Sequence, residues 1–308
     1  MPDRVTPTWL LKALTPPIVV IAVKGLLRRL GHLPPKRPEP EPDLPDATEP
    51  PEFEVVPTER IATGGWDAGA VAEAYVEKWP QWVAALEGPG PLGAYHEARA
   101  GEHLARDDLA AHNMLLSFAY VVARAAAGRD RISVLDWGGG LGHYAVLADA
   151  VLPQTTFDWH CREVPSIAAA GAKANPSVTF HADDRCLDRT YDLVFASSSL
   201  QYEPDWERLL GRLAAATTGF LFVTRVPVAL ETESFAVLQR AGAYGYETEY
   251  AGWVIARSRL LTAAESAGLV LERELLLDAW MSPAGAAESP IGHRGFLFRP
   301  RGKEQLSD

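Results

Sequence analysis

The feature that most constrains this chain is the run Ile132-Ser133-Val134-Leu135-Asp136-Trp137-Gly138-Gly139-Gly140-Leu141-Gly142-His143-Tyr144. It reads as a buried strand that ends in an acid, enters a glycine-rich turn and continues into a helix. Glycines permit positive φ and let a ligand approach the backbone closely. Amides at the start of the following helix can face an anionic group. In open α/β sheets, ligands sit beyond the carboxyl ends of the strands, near the point where strand order reverses. The dinucleotide fingerprint GxGxxG would need glycine at 143 after Gly138 and Gly140, and the chain has His143 there. Its pattern is instead D-x-G-x-G-x-G, with Asp136, Gly138, Gly140 and Gly142. An acid just before the loop is awkward beside a pyrophosphate but suits a ligand carrying an amino group. A glycine turn that serves only close packing is the competing reading.

The surroundings of this run define a fold class. Short apolar strand candidates occur at 132–135, 155–161, 178–180, 191–196 and 220–224, with helix-like stretches at 142–151, 165–174 and 205–215 between them. Such alternation implies parallel pairing through right-handed crossovers. Two further strand-like runs, 269–277 and 295–299, flank a Pro/Gly/Ala-rich loop and fit an antiparallel hairpin at the sheet edge. The expectation is an α/β fold with a doubly wound, mostly parallel, seven-stranded Rossmann-like sheet. Residues 66–86 and 103–127, rich in Ala and Leu at helical spacing, add a helical N-terminal layer. With 47% apolar and 22% charged residues over 308 positions, the chain has an ordinary soluble core. Wholesale disorder, a collagen-like repeat and a polytopic membrane protein are excluded.

Charge divides the chain. Residues 1–37 carry Arg4, Lys12, Lys24, Arg28, Arg29, Lys36 and Arg37 against Asp3 alone, while the whole chain carries −11. That acidic balance argues against nucleic acid as a partner, because phosphate binding needs a basic surface. Thr15 can cap a helix with Pro16 or Pro17 in its first turn, and Gly31 can end it. Val19, Val20, Val23, Leu26, Leu27 and Leu30 then share one face, with Lys24 and Arg28 opposite. The apolar stretch is shorter than the ~20 residues of a membrane span, and no small-residue cleavage site follows it. Residues 9–31 therefore read as a basic amphipathic helix, either in peripheral contact with an anionic membrane or packed on protein. The expected location is cytoplasmic, at the inner membrane face if that contact forms. Nine prolines and seven acids crowd residues 34–57, which read as an extended, mobile linker. The domain expectation is thus a leading helix at 1–33, the linker at 34–57, a helical cap layer at 58–128, a ligand-binding domain at 129–300 and a tail at 301–308. Only Cys161 and Cys186 occur, in no CxxC or Cys/His cluster, so neither a disulfide scaffold nor a metal site is expected.

Further acids follow the glycine loop in order. Glu163 comes 27 residues after Asp136, near the spacing at which an acid takes bonds from ribose hydroxyls. The third strand ends at His181-Ala182-Asp183-Asp184, where Asp183 or Asp184 could accept from an adenine amino group. The fourth runs into Ser197-Ser198-Ser199-Leu200-Gln201-Tyr202, a polar lip in which Ser197 and Ser198 border the ligand. A ligand with an amino group, a carboxylate, a ribose and an adenine matches this set, and S-adenosyl-L-methionine has all four.

On VLDWGGGLG (134–142), Glu163 and YDLVFASSSLQY (191–202), the sequence resembles the class I S-adenosylmethionine-dependent methyltransferases over roughly residues 130–300. More narrowly, the loop, the Glu-x-Pro after strand two and the helical N-terminal layer are similar to a bacterial methyltransferase family associated with surface-polysaccharide biosynthesis. The resemblance implies transfer of a methyl group to an O or N acceptor, a sugar or other small molecule. It also implies that Asp136, Gly138 and Gly140 contact the methionine part, with Gly139 and Gly142 in the same cofactor-binding loop, Glu163 on the ribose and Asp183 near adenine. Trp137 is bulkier than the residue usual in that loop. If the acceptor is a hydroxyl, a base near neutrality helps, and histidine is the usual choice. His143, just after the loop, and Tyr202, on the lip, are the catalytic candidates; capping and packing are their structural alternatives. His160, His181 and His293 are further histidines, and His160 reads as structural. The aromatic run 241–250 and Trp253 could line an acceptor pocket or simply pack. Two other functions fit the pattern less well: a non-catalytic, membrane-recruited or cofactor-binding interaction protein, and a nicotinamide oxidoreductase. The oligomeric state is left open.

Overall fold

A computed structural model describes residues 50–61, 65–86, 108–244, 246, 248–286 and 291–302. The chain divides into two units, Met1–Pro50 and Pro51–Asp308. The leading helix, most of the linker and residues 303–308 lie outside the described residues.

The second unit opens with strand β1 (Phe53–Val56), and two helices follow, α1 (Gly69–Ala85) and α2 (Leu109–Ala126). The buried residues of α1 (Val71, Ala74, Tyr75, Trp82, Ala85) recur at helical spacing and so form one apolar face. Asp108 caps α2 by accepting the Ala111 amide at 2.7 Å. Alternation then sets in: β2 (Arg131–Trp137), α3 (His143–Val151), β3 (Thr156–Arg162), α4 (Pro165–Ala174), β4 (Thr179–His181), β5 (Tyr191–Ser197), α5 (Trp206–Ala215) and β6 (Thr217–Ala229). The chain ends in β7 (Phe235–Arg240), β8 (Glu249–Ala256), α6 (Arg257–Ser266), β9 (Leu269–Met281) and β10 (Ile291–Pro300).

Strands β4, β3, β2, β5 and β6 lie side by side and parallel, so the order reverses beside β2. This puts the carboxyl ends of β2 and β5, and the loops after them, at the switch point. The last strand, β10, inserts antiparallel between β6 and β9. At Val228 and Ala229 the far end of β6 also pairs with β8, in parallel, and β8 continues antiparallel into β7 and then β1. Among the described residues the sheet therefore has ten strands, where the sequence reading had seven. Of the three additional strands, β1 falls in the segment read as linker, β8 overlaps the aromatic run 241–250, and β7 lies in a stretch to which the sequence reading assigns nothing. The supposed linker ends in β1, because Phe53 and Val55 pack on Ala229, Val237 and Val254 and so order its last residues.

One face of the sheet is covered by α5 and α6, packed on Leu135, Val194, Leu221 and Val223. The other is covered by α2 and α3, with Phe118 and Tyr144 against Phe195 and Phe222. Burial on both faces explains why β2 and β5 read as nearly continuous apolar runs. A third cluster joins α1 to Leu141, Ile167, Tyr246 and Tyr250, beside the glycine loop.

Candidate functional site

The site is built where β2 stops. Gly138 and Gly140 take left-handed φ values of 72° and 61°, and the left-handed Gly142 is the N-cap of α3. These turns fold the loop back over the end of its own strand. Gly139 shows how tightly: a Cβ there would lie 2.2 Å from Asp136 Oδ2. The loop is stapled from two sides. Ser199 donates its hydroxyl to Trp137 O at 2.7 Å, and the Gly138 amide donates to Arg162 O at 2.8 Å.

Beneath the loop, the Asp136 carboxyl is fully buried and neither oxygen has a hydrogen-bond partner. Burial holds its pKa well above the carboxylate range, and neighbouring Glu163 raises it further; the indole N–H of Trp159, outside hydrogen-bond geometry, only partly offsets this. Glu163 follows β3 and is also buried. Its Oε1 accepts the Gly140 amide at 2.9 Å and its Oε2 the Val164 amide at 2.8 Å. Burial pushes its pKa up to about 7, even against those two amides. Two buried acids thus sit under a loop of backbone amides.

The two aspartates after β4 behave differently. Asp183 is exposed and turned onto Arg185, accepting its amide at 3.1 Å and its guanidinium at 2.7 Å. These bonds lower its pKa. Asp184 pairs with Arg162 at 3.0 Å and with Arg212 at 2.6 Å. Burial works to raise its pKa, but the two arginines outweigh that and hold it low. Arg162 in turn lies 4.6 Å over the ring of Trp137, so the bulky loop residue has a packing partner. On the lip, Ser197 is buried with its hydroxyl 3.1 Å from the Tyr144 hydroxyl. Ser198 has φ 53°, and its hydroxyl accepts from Gln201 Nε2 at 3.1 Å.

Of the candidate catalytic residues, His143 lies beside the glycine loop and Tyr202 packs on the aromatic cluster that includes Leu141. His143 is the first residue of α3 and is buried, with the rings of Tyr75, Trp79 and Trp82 around it at 5.9, 5.0 and 4.9 Å. A Cβ at Gly140 would lie 3.2 Å from His143 Nδ1. The Tyr202 ring packs edge-on against Trp66 at 5.0 Å and Tyr250 at 5.2 Å, and its hydroxyl donates to Gln239 Oε1 at 3.4 Å. His160 and His181 are bonded to each other across β3 and β4, and His293 lies on β10 opposite Pro227. Trp253 leaves the aromatic group and donates to Pro204 O at 3.3 Å.

Sequence reasoning missed Trp66, Tyr75, Trp79 and Trp82. The 75-79-82 spacing places three rings on one face of α1, a signal that was present but reads equally as core. Among the described residues, no three His, Cys, Asp or Glu side chains gather as a metal site.

A glycine loop at the switch point, a buried acid below it and a second acid closing it define an α/β domain for an adenosine-type cofactor. A family model described as a methyltransferase domain matches residues 110–274, and the chain belongs to that family. The chain is similar to a trans-aconitate 2-methyltransferase of Deinococcus radiodurans, with 31% identity over 127 residues covering 41% of this chain and 49% of that protein. It spans about half the length of that curated relative. Among solved structures it is similar to 1,6-didemethyltoxoflavin-N1-methyltransferase from Burkholderia thailandensis, with 16% identity, 61% of this chain, 78% of that chain and a TM-score of 0.42. It is also similar to the CcbJ methyltransferase from Streptomyces caelestis, with 16% identity, 61% and 89% coverage and a TM-score of 0.42.

Proposed function

We propose that this chain is an S-adenosyl-L-methionine-dependent methyltransferase that transfers a methyl group to an oxygen or nitrogen of a small molecule. The observation that carries the reading is Asp136, a fully buried carboxyl with no partner for either oxygen. Leaving such a group unpaired is costly, and a ligand ammonium would remove the cost. The loop above it is packed tightly: a Cβ at Gly138 would lie 2.5 Å from Ser199 Cβ, so only glycine lets the loop close against the lip that would border the ligand.

When bound, the cofactor supplies a methyl group on a sulfonium, activated for in-line displacement. The chain's own part is to bind, orient and exclude water. Asp136 and the amides of Gly138, Gly139 and Gly140 would hold the methionine portion, with Gly142 fixing the start of α3. Glu163 would exchange the Gly140 amide for the ribose hydroxyls. Asp183, held only by its near neighbour Arg185, is free to turn toward adenine, whereas Asp184 stays locked between two arginines. Ser197 and Ser198 would form the lip. For a hydroxyl acceptor, His143 beside the loop would take the proton, with Tyr202 bordering the acceptor.

The resemblance seen in the sequence implies a sugar of a surface polysaccharide as acceptor, and residues 9–31 would bring the enzyme to the inner membrane face. Calorimetric titration with S-adenosylmethionine, S-adenosylhomocysteine and NADH tests the core of the reading. Micromolar binding of the first two alone is expected, and binding of NADH alone, or of nothing, would overturn it.

A further inference from the structure

The glycine loop is covered at the end assigned to methionine and open at the end assigned to adenine. Gly139, Gly140, Leu141 and Gly142 are buried, as is Asp136 beneath them, whereas Asp183 is exposed. Part of the cover is helix α1. Its Tyr75 reaches the loop, since a Cβ at Gly140 would lie 3.6 Å from the Tyr75 ring. Val71, Ala74 and Tyr75 pack in one cluster with Leu141.

Helix α1 belongs to two cores, and Pro80 marks the division. Up to Trp79 its apolar residues, with Trp66 ahead of them, pack with Leu141, Ile167, Tyr246 and Tyr250. Beyond it, Trp82, Val83 and Leu86 pack instead with Met114, Leu115 and Phe118 of α2. Pro80 stands inside the helix between the two groups. It has no amide to offer the Val76 carbonyl, so one rung of the helix ladder is missing there. Prolines so placed are where helices bend.

Polar contacts tie the first half of α1 to elements far along the chain. Asp67 Oδ1 accepts the amide and hydroxyl of Ser166, in the first turn of α4, at 3.1 and 2.7 Å. Lys78 Nζ donates to Tyr244 O at 2.8 Å. The Asp67 bonds are solvent-exposed, so water can replace them at small net cost.

We propose that residues 66–79 form a lid, hinged at Pro80 and latched by Asp67 to Ser166, that swings off the glycine loop to admit the methionine end of the cofactor. Trp82 stays seated against α2 and anchors the hinge. A ligand cannot reach Asp136 while Tyr75 lies on the loop, so opening precedes binding. The lid closes again over the bound ligand, and the latch is then equally present in the free and the loaded chain. Loosening the latch therefore speeds entry and exit together and leaves affinity alone.

The inference rests on the methyltransferase reading, and binding kinetics separate the two. Stopped-flow mixing of the full chain with S-adenosylhomocysteine is followed by tryptophan fluorescence, to which Trp66 and Trp79 on the moving half contribute. Release is measured by dilution, and affinity by calorimetry. Asp67→Ala should raise both rate constants about tenfold, the worth of the lost hydrogen bonds, with the dissociation constant unchanged. In a second variant, Asp67→Cys combined with Ser166→Cys, a two-carbon bis-methanethiosulfonate bridges the pair, while Cys161 and Cys186 are buried. The bridged chain should load at least about tenfold more slowly, and a reductant should restore the rate. Hydrogen exchange of the ligand-free chain should run faster over residues 69–79 than over 81–86, and should slow over 69–79 once S-adenosylhomocysteine is bound. Failure of the parent chain to bind S-adenosylhomocysteine would overturn the methyltransferase reading and the lid with it. Normal parental binding would overturn the lid alone if the bridged chain loaded at the parental rate. So would an Asp67→Ala variant with unchanged rates or altered affinity, or equal exchange in the two halves of α1.

Discussion

Glu163 closes the glycine loop from below, its Oε1 accepting the Gly140 amide at 2.9 Å. The acid that the sequence assigns to a ribose therefore occupies, in the ligand-free chain, one of the amides that a ligand would use. The loop is held in shape by a group that must let go for the ligand to enter, at a site where burial has already weakened its preference for the charged form.

That contact has a pH signature. With its pKa raised from 4.5 to about 7, Glu163 keeps its proton in the folded chain across a window where the unfolded chain has lost it. Stability of the ligand-free protein should therefore fall as pH rises from about 4.5 to 7, by up to ~3 kcal/mol from this group. Asp136 contributes in the same direction. Urea denaturation at several pH values checks this: Glu163→Gln should flatten the slope across the window, and an unchanged slope would contradict the assignment.

Asp136→Asn separates the fold from the ligand. Burial disfavours the charged form of the ligand-free acid, so an isosteric neutral amide in its place should leave the melting curve close to that of the parent. Affinity for S-adenosylmethionine should fall on the order of 10- to 100-fold, the worth of a hydrogen bond to a charged group. Calorimetry on a variant with an unaltered melting curve gives the answer. Undiminished affinity would mean that the ammonium lies elsewhere.

Gly139→Ala tests the cradle without touching a charge. Gly139 is not in the left-handed region, so the cost is one of space: the new methyl group meets Asp136 Oδ2 at 2.2 Å. Overpacking of this kind costs about 1–3 kcal/mol, and the displaced carboxyl should lose the ligand as well. Thermal unfolding and S-adenosylhomocysteine titration would both shift; a variant with parental values in both would show that the loop is slack.

How much of this was legible depended on burial. Strands β2 and β5 lie between two layers of helices, so their runs ISVLD and YDLVFAS announce themselves without periodicity. The glycine loop was legible because no other residue type explains Gly138-Gly139-Gly140 before a helix. The strands β1, β7 and β8 were not. Phe53–Val56 sits in a Pro- and Glu-rich setting that reads as linker, and it becomes a strand only because β7 offers an edge at long range. Tyr246 and Tyr250 looked like an aromatic insertion for the same reason, since Trp66 lies about 180 residues away in the chain and only folding brings it onto them. Glu163's two backbone amides could not be read from spacing, which gives an acid's place on a strand and not what it grips.

The proposed membrane contact is tested by length. Removing residues 1–33, with their basic side chains and apolar row, should reduce sedimentation with vesicles containing anionic lipid. It should leave S-adenosylmethionine affinity unchanged, because the loop and its acids lie far along the chain. Equal sedimentation of both forms would end the proposal.

The last prediction concerns a pair of histidines whose proton positions follow from one guanidinium. Arg189 can only donate, so its Nη1, 2.9 Å from His160 Nε2, makes that nitrogen an acceptor. The His160 proton is then on Nδ1, and it donates to His181 Nε2 at 2.9 Å. Asp158, 3.3 Å from His160 Nε2, is shared with Arg189 at 3.2 Å and cannot claim the proton without breaking that order. Burial lowers the pKa of His160, and Arg189 adds to it against Asp158. Burial also lowers that of His181, with Asp183 opposing and Arg189 and Arg185 adding to it. As pH falls through 6.5 the unfolded chain takes up protons first, so the pair loses stability on acidification, opposite in sign to Glu163. Nitrogen-resolved NMR titration keeps the two apart. It should find His160 as the Nδ1–H tautomer, both pKa values below 6.5, and both rising in Arg189→Gln. An Nε2–H tautomer at His160 would refute the assignment.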